Sequence, residues 1–412
     1  MSAPSDSHEA AEKALPRAFK IFWAGQALSA IGDAMTVVAM PLVVFAATSS
    51  VEHMGRLTAL ARVGGVIATA GAGFIVDSWR PRRVMIACDV FRCALLALIP
   101  LLWSWDRHLL WLVYWVGISA ALAQGIFYVG HVSLVAELVG RARVGLANSR
   151  VESSIALAYV CGPFAAGVLS AHFGPTTALG VDSLTFLASA ASLIALRSRA
   201  REPSPAARPS PSSVLGLSGL RFIRAQPELW QLAILVAACQ CLTAALVDLL
   251  IYRLKHDLGQ GDSGTGTLFG LASGAGVVAA LITPWLRAKL AFKRLWVTAV
   301  VLQGAALAAS AFAQSFAWVA SAAALYMAAM TTLMICQASI RQEITPPHLL
   351  GRVTSSYLTL VALPTPIGAL VGTALAARVG ASIVQAGIGV GLLLIAALAQ
   401  LLWSSAANRE LR

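Results

Sequence analysis

Long apolar stretches recur along the whole chain, each interrupted by a short polar or basic run. Each reaches the roughly 20 residues that a helix needs to cross a bilayer. Twelve such spans are predicted, at 19–46, 55–76, 84–103, 109–136, 145–171, 176–197, 229–252, 266–287, 295–313, 316–339, 353–377 and 382–403. The pattern therefore predicts an all-α membrane protein. Residues 1–18 are polar, and the first apolar stretch is long enough to be a span itself, so no cleaved signal peptide is expected.

Composition agrees with this pattern. Of 412 residues, 58% are hydrophobic and 12% charged, against roughly 25% charged in soluble proteins. Mean hydropathy is +0.77. An ordinary cytosolic enzyme, a disordered chain and a disulfide scaffold are all excluded. The six cysteines fall inside apolar stretches and read as small core residues.

The net charge of +12 changes the picture only through its distribution. Basic residues cluster between spans, as in Arg80, Arg82 and Arg83, or Arg287, Lys289, Lys293 and Arg294. Clusters of this kind sit in the N-terminus, the even-numbered loops and the C-terminus, and outnumber those of the odd loops by about four to one. The positive-inside rule then puts both termini in the cytoplasm of a multi-pass protein in the cell (inner, cytoplasmic) membrane. Nucleic acid is not an expected partner.

Residues 198–215 (SRAREPSPAARPSPSSVL) are rich in Pro, Ser, Ala and Arg and read as a flexible linker. The segment GLSGLRFIRAQPELW after it predicts a short amphipathic helix on the membrane surface, with Pro227 starting the seventh span. The expected organisation is a six-helix bundle at 1–197, a cytoplasmic linker at 198–228 and a second six-helix bundle at 229–412. The halves also suggest a repeat. Gly145 and Gly174 bracket span five, Gly351 and Gly380 bracket span eleven, and both pairs are offset by the same interval. Two pseudo-symmetric halves suit a transporter that rocks one half against the other around a midplane site.

The segment between spans two and three is the most informative. It combines small residues at a helix end (Gly71, Gly73), an acid (Asp77) and a tight basic loop (Arg80, Arg82, Arg83). Small residues allow close helix approach, and an acid at the surface suits a neighbouring helix N-terminus. The run G-F-I-V-D-S-W-R-P-R-R from Gly73 to Arg83 resembles the second-loop signature of the major facilitator superfamily. Ser78 and Arg80 depart from that signature. Ala158 to Gly167 (AYVCGPFAAG) is similar to the glycine/proline motif of its antiporter branches, with Ala158 and Ala166 replacing two usual glycines. FKIFWAGQALSAIGDAMTVVAMPL, ACDVFR and GLRFIRAQP are similar to the twelve-span drug-efflux branch that holds macrolide-efflux and enterobactin-exporter-like proteins.

The resemblance implies a fold and site roles. Twelve transmembrane helices would form two pseudo-symmetric six-helix bundles. Asp77, with Arg80, Arg82 and Arg83, would gate the cytoplasmic side by meeting the start of span eleven near Gly351 and Arg352. Gly162, Pro163 and Gly167 would let span five bend and pack against the other half.

Charges inside the membrane are costly and usually functional. Asp33 and Arg62 each lie about 14 residues from the cytoplasmic end of their span, roughly 21 Å up at 1.5 Å per residue. Their shared depth predicts an ion pair across spans one and two. If that pair served coupling, separating it would leave a desolvated carboxylate able to take a proton. Asp89 and Arg92, one turn apart on span three, predict a local pair near the cytoplasm. Asp182 and Asp248, near the outer ends of spans six and seven, are candidates for an outer gate or coupling. Gln124, Tyr159, Gln240, Gln303, Tyr326 and Gln337 are candidates for lining a substrate cavity.

Other chemistry has no sequence basis. There is no phosphate-cradling loop, no Cys/His metal spacing and no Ser-centred nucleophile turn, so no cofactor and no metal are expected. The expectation is a monomeric secondary transporter rather than an enzyme, with protons, a small-molecule substrate and the lipid bilayer as partners. Export of hydrophobic or amphipathic compounds such as antibiotics is the leading reading. Import or facilitated passage of a metabolite, siderophore or lipid is the alternative. A membrane enzyme or sensor is the remote one.

Overall fold

The computed structural model describes residues 15–103, 110–140, 143–196, 217–346 and 349–410. Among them every regular element is helical. The first half comprises α1 (Arg17–Thr48), α2 (Val51–Ser78), α3 (Pro81–Trp103), α4 (Leu110–Val139), α5 (Val144–Phe173) and α6 (Pro175–Ala195). A short α7 (Leu217–Ala225) precedes the second half. There the seventh span is α8 (Pro227–Thr243) and α9 (Leu246–Tyr252), ending in a π-helical turn at Arg253–Asp257. It is followed by α10 (Asp262–Lys289), α11 (Phe292–Ser310) and α12 (Phe316–Ile344). The eleventh span is α13 (Leu350–Ala362) with α14 (Thr365–Val379), and α15 (Ala381–Glu410) closes the chain.

Eleven spans among the described residues are long and apolar enough to cross a membrane. The 28-residue α2, which carries Glu52, Arg56, Arg62 and Asp77, runs between two of them. Leu101, Leu281 and Leu394 are among many large apolar side chains left exposed. In a bilayer that exposure is the solvated condition, since lipid replaces water at the surface.

Proline and glycine explain the interruptions. Pro364 cannot donate to the helical ladder and separates α13 from α14. Pro163 sits inside α5 without breaking it. Gly174 and Gly380 end α5 and α14 with φ of 91° and 96°, a region open to glycine and strained for other residues.

The interval between those two glycines also relates the packing glycines. Gly162 of α5 lies against α1, where an added Cβ would stand 2.5 Å from that of Ala34. Its mate Gly368 of α14 lies against α8, with an added Cβ 2.8 Å from the Cys241 carbonyl carbon. Gly167 of α5 faces Gly266 of α10, and its mate Thr373 of α14 faces Gly55 of α2. In each half the same helix face packs in the same way.

These last two contacts join the halves. Here the terminal face is the end holding the start of α1 and the finish of α15. Gly55 and Thr373, like Gly167 and Gly266, lie toward the opposite face. There Phe45 of α1 also meets the Tyr252 ring edge-on, with centroids 6.0 Å apart. Toward the terminal face, α8 and α13 have no substantial packing against the first half among the described residues. The halves are therefore closed at the opposite face and parted toward the terminal face.

Two sequence expectations change here. α7 does not simply lie on a membrane surface. Ile223 is fully buried, and an added Cβ at Gly219 would collide with the Arg352 carbonyl, so α7 docks on α13 while Arg221 and Arg224 stay exposed. The continuous seventh span is broken at Ala244–Ala245. The linker at 198–215 lies outside the described residues.

Candidate functional site

A buried polar network fills the middle of the first half. Arg92 of α3 is 1% exposed and donates to two acids. Its Nη2 meets Asp89 Oδ1 at 2.7 Å, and its Nη1 meets Asp33 Oδ1 at 3.3 Å. The same Nη1 reaches Gln124 Oε1, while Gln124 Nε2 donates to Asp33 Oδ2 at 3.4 Å. Ser189 Oγ donates to Asp89 Oδ2 at 2.6 Å and accepts from Gln26 Nε2 at 2.8 Å. The guanidinium lies over the Phe186 ring at 4.0 Å and the Phe127 ring at 4.7 Å. Four helices, α1, α3, α4 and α6, thus converge on one planar, forked cation. A lysine ammonium, being a point charge, lacks that two-way geometry.

The acids differ in access. Asp89 is wholly buried, whereas the Asp33 side chain is 36% exposed. Asp182, also wholly buried, accepts from the Thr36 and Thr185 hydroxyls. Asp33 is therefore the accessible acid of this set. Tyr159 of α5, 49% exposed, lies within electrostatic reach of Asp33, Arg62 and Glu152.

The expected Asp33–Arg62 pair is not formed. Equal depth did not fix azimuth: Arg62 sits on the α2 face turned to the seventh span, and its Nη2 donates to the Ala244 carbonyl at 3.3 Å. One turn earlier, Thr58 Oγ1 donates to Asp248 Oδ1 at 3.3 Å. The Asp89–Arg92 pair does form, but as part of the network around Asp33 rather than as an isolated pair.

The remaining expected residues divide. Gln124 joins the network. Gln240 of α8 is half-buried, and Tyr326 of α12 lies within hydrogen-bonding reach of Thr243. Gln337 accepts from Tyr357 at 3.4 Å. Gln303 is no cavity residue. It is 4% exposed on α11, which packs within its own half against α12 and α15. In the basic loop, Arg80 and Arg83 are exposed. Arg82 turns away from the other half and donates to the carbonyls of Leu193 and Ile194 at 2.7 and 2.8 Å, closing the end of α6. The surroundings of Gly73, Asp77 and Gly351 lie outside what is described. Gly162 packs against α1 and Pro163 is buried beside it, leaving Gly167 to meet the other half.

Arg253 is a buried cation that the sequence pattern does not single out. One residue past the predicted end of the seventh span, it is 2% exposed. It donates to the carbonyls of Ser310 and Ala313, both at 2.6 Å, and to Gln385 Oε1 at 3.1 Å. It thereby caps α11.

Comparison with known proteins is consistent with this architecture. The Multidrug efflux pump Tap of Mycolicibacterium fortuitum is 25% identical over 360 residues, covering 85% of this chain and 87% of that protein. The protein of the same name from Mycobacterium tuberculosis H37Rv is 27% identical over 235 residues. That match spans about half the length of the relative, 53% of it and 55% of this chain. An uncharacterized MFS-type transporter of Sinorhizobium fredii, y4rN, is 27% identical over 383 residues, covering 91% of this chain and 92% of it. Among solved structures, the nucleoside transporter NupG superposes with a TM-score of 0.70 at 10% identity, covering 94% of this chain and 99% of NupG. A bacterial homologue of the iron transporter ferroportin, in an inward-facing state, gives 0.65 at 18% identity, covering 95% of this chain and 99% of that one. At those identities the likeness concerns fold alone. The sequence profile of the Major Facilitator Superfamily matches residues 22–369, and the chain belongs to that superfamily.

Proposed function

We propose that this transporter is a proton-coupled exporter of hydrophobic or amphipathic small molecules, working by alternating access in the cytoplasmic membrane. The observation that carries the coupling is Asp33: it pairs with Arg92 yet keeps an accessible side chain, whereas Asp89 on the same cation is wholly buried. An accessible carboxylate can exchange a proton with water, while Arg92 can shift its weight between Asp33 and Asp89. Proton binding at Asp33 and guanidinium pairing at Asp33 compete for the same oxygens. The efflux direction is supported by the relatives named as multidrug efflux pumps.

In this reading the terminal face is cytoplasmic, as the basic clusters there favour. The halves 1–197 and 229–412 rock about the linker at 198–228. Asp77, Arg80 and Arg83 serve the cytoplasmic gate. Tyr159, with Gln240 and Tyr326, offers aromatic and amide contacts to a substrate in the central space.

The test uses reconstituted or everted vesicles with an imposed pH gradient. A panel of lipophilic drugs and siderophores is added and proton release is followed. Substrate-dependent collapse of the gradient is expected, and its loss in Asp33→Asn with the protein still folded. Substrate flux that ignores the gradient in the parent protein would overturn the coupling and favour a facilitator.

A further inference from the structure

The helix break at Ala244–Ala245 lies where three helices meet. Ala59 of α2, Ala244 and Ala369 of α14 form a buried cluster of their own, 0 to 6% exposed. Only small side chains permit so close an approach. The N–H of Leu249 closes the first turn of α9 on the Ala245 carbonyl at 2.9 Å. The Ala244 carbonyl is thereby left outside the helical ladder, and a buried carbonyl without a partner is costly. Arg62 supplies the partner from the other half at 3.3 Å. Thr58, four residues earlier on the same face of α2, holds Asp248 of α9 at 3.3 Å. Asp248 is 1% exposed, so its link to Thr58 is shielded from water.

The break is fixed differently on its two sides. Within its own half, α14 grips it through glycines: Gly368 lies on the Cys241 carbonyl, and an added Cβ at Gly372 would stand 2.8 Å from that of Ala245. Such close packing of backbone on backbone moves as a unit. Across the halves, the break is tied to α2 by the small-residue contact and these two hydrogen bonds. When the halves part at this end, the α2 side gives way.

We propose that the interruption of the seventh span, bonded by Arg62 at Ala244 and by Thr58 at Asp248, is the latch that holds the opposite face shut. Arg62 and Thr58 are positioning residues here: they set which face is open. The proposal rests on the alternating-access reading, though not on proton coupling or on export. The break supplies an acceptor that an unbroken helix would have spent on itself, so the interruption and the arginine form one device. Opening this face must sever both bonds, and whatever replaces Arg62 at the carbonyl must be water or substrate.

The test is a distance measurement on the full chain, without substrate or gradient. Spin labels are introduced as unnatural amino acids at Phe173 and Ser263, exposed positions at the opposite-face ends of α5 and α10. Pulsed electron resonance then reads their separation in the parent, in Arg62→Gln and in Thr58→Val. The parent should give mainly the short distance. Each variant should raise the ratio of long to short distance by about tenfold. Unchanged distributions in both variants, in monodisperse protein, would overturn the latch. Should Arg62→Gln fail to fold, Thr58→Val decides alone, because it deletes one hydroxyl and keeps the shape. Failure of proton coupling would instead appear in the vesicle assay and leave these distances as they are.

Discussion

Replacing Gly266 by alanine should drive the protein away from the state described here. An added Cβ would stand 2.8 Å from both the carbonyl carbon and oxygen of Gly167. Carbon contacts settle at about 3.5–4.0 Å, so α5 and α10 must part by roughly 0.7 Å or more. The obstructing atoms are backbone, and no side-chain rotation relieves them. Overpacking of this kind costs about 1–3 kcal/mol. The cost falls on the closed opposite face, where α5 meets α10, and vanishes when the halves part there. The ratio of closed to open should therefore fall about 5- to 150-fold. The assay introduces Tyr159→Cys in the central space and applies a membrane-impermeant thiol reagent to each side of sealed vesicles. Labelling above the background of the native cysteines should come from the terminal face in the parent and from the opposite face with Gly266→Ala. The pseudo-symmetric contact provides the control. Gly55→Ala would stand 2.5 Å from Thr373 Cγ2, a side chain that can be removed. Adding Thr373→Gly should restore the parent labelling. If Gly266→Ala folds and labels as the parent does, the glycine contact does not govern closure and the reasoning fails.

Other outcomes follow from three arginines that each bond within one half. Arg253→Ala leaves the Ser310 and Ala313 carbonyls and Gln385 without their donor, and should destabilise the protein by about 1–3 kcal/mol, read as a lower midpoint of thermal unfolding in detergent. Arg92→Lys keeps the charge but loses the fork between Asp33 and Asp89 and the contact with Phe186. It should yield folded protein whose gradient-driven flux falls at least about tenfold, while Arg82→Lys alone in the parent chain leaves transport normal. Arg82→Ala removes two hydrogen bonds to the end of α6 and should cost about 1–3 kcal/mol of stability, with transport per folded molecule unchanged.

Much of the fold was legible because bilayer crossing imposes one length and one composition on every span. Ends shifted by a few residues, as when the predicted 266–287 became Asp262–Lys289. The repeat was legible in Gly174 and Gly380 because a positive φ restricts the residue that can follow a helix. The break at Ala244–Ala245 was invisible, since alanine is the strongest helix former and carries no signal of interruption. Its cause is tertiary: the carbonyl it releases is satisfied by Arg62 from a helix some 180 residues earlier in the chain.

The candidate site failed in the same way and for the same reason. Depth along a span is countable from sequence, and it put Asp33 and Arg62 at one level. Azimuth depends on how α1, α2 and α3 are rotated about their axes, which is set by packing. Gly162 against Ala34 turns α1 toward α5, and Gly55 against Thr373 turns α2 toward the second half. Arg62 is thereby directed across the interface, and Asp33 is left to Arg92. The small residues therefore do more than permit close approach. By fixing helix rotation they divide the two arginines between different tasks. Arg92 holds the acids within one half, and Arg62 joins that half to the other. The division has a mechanical consequence: parting the halves breaks the bond of Arg62 and spares those of Arg92. In the proposed coupling, the acid and the moving contact are then served by separate cations, so that proton exchange at Asp33 would not itself require the interface to open.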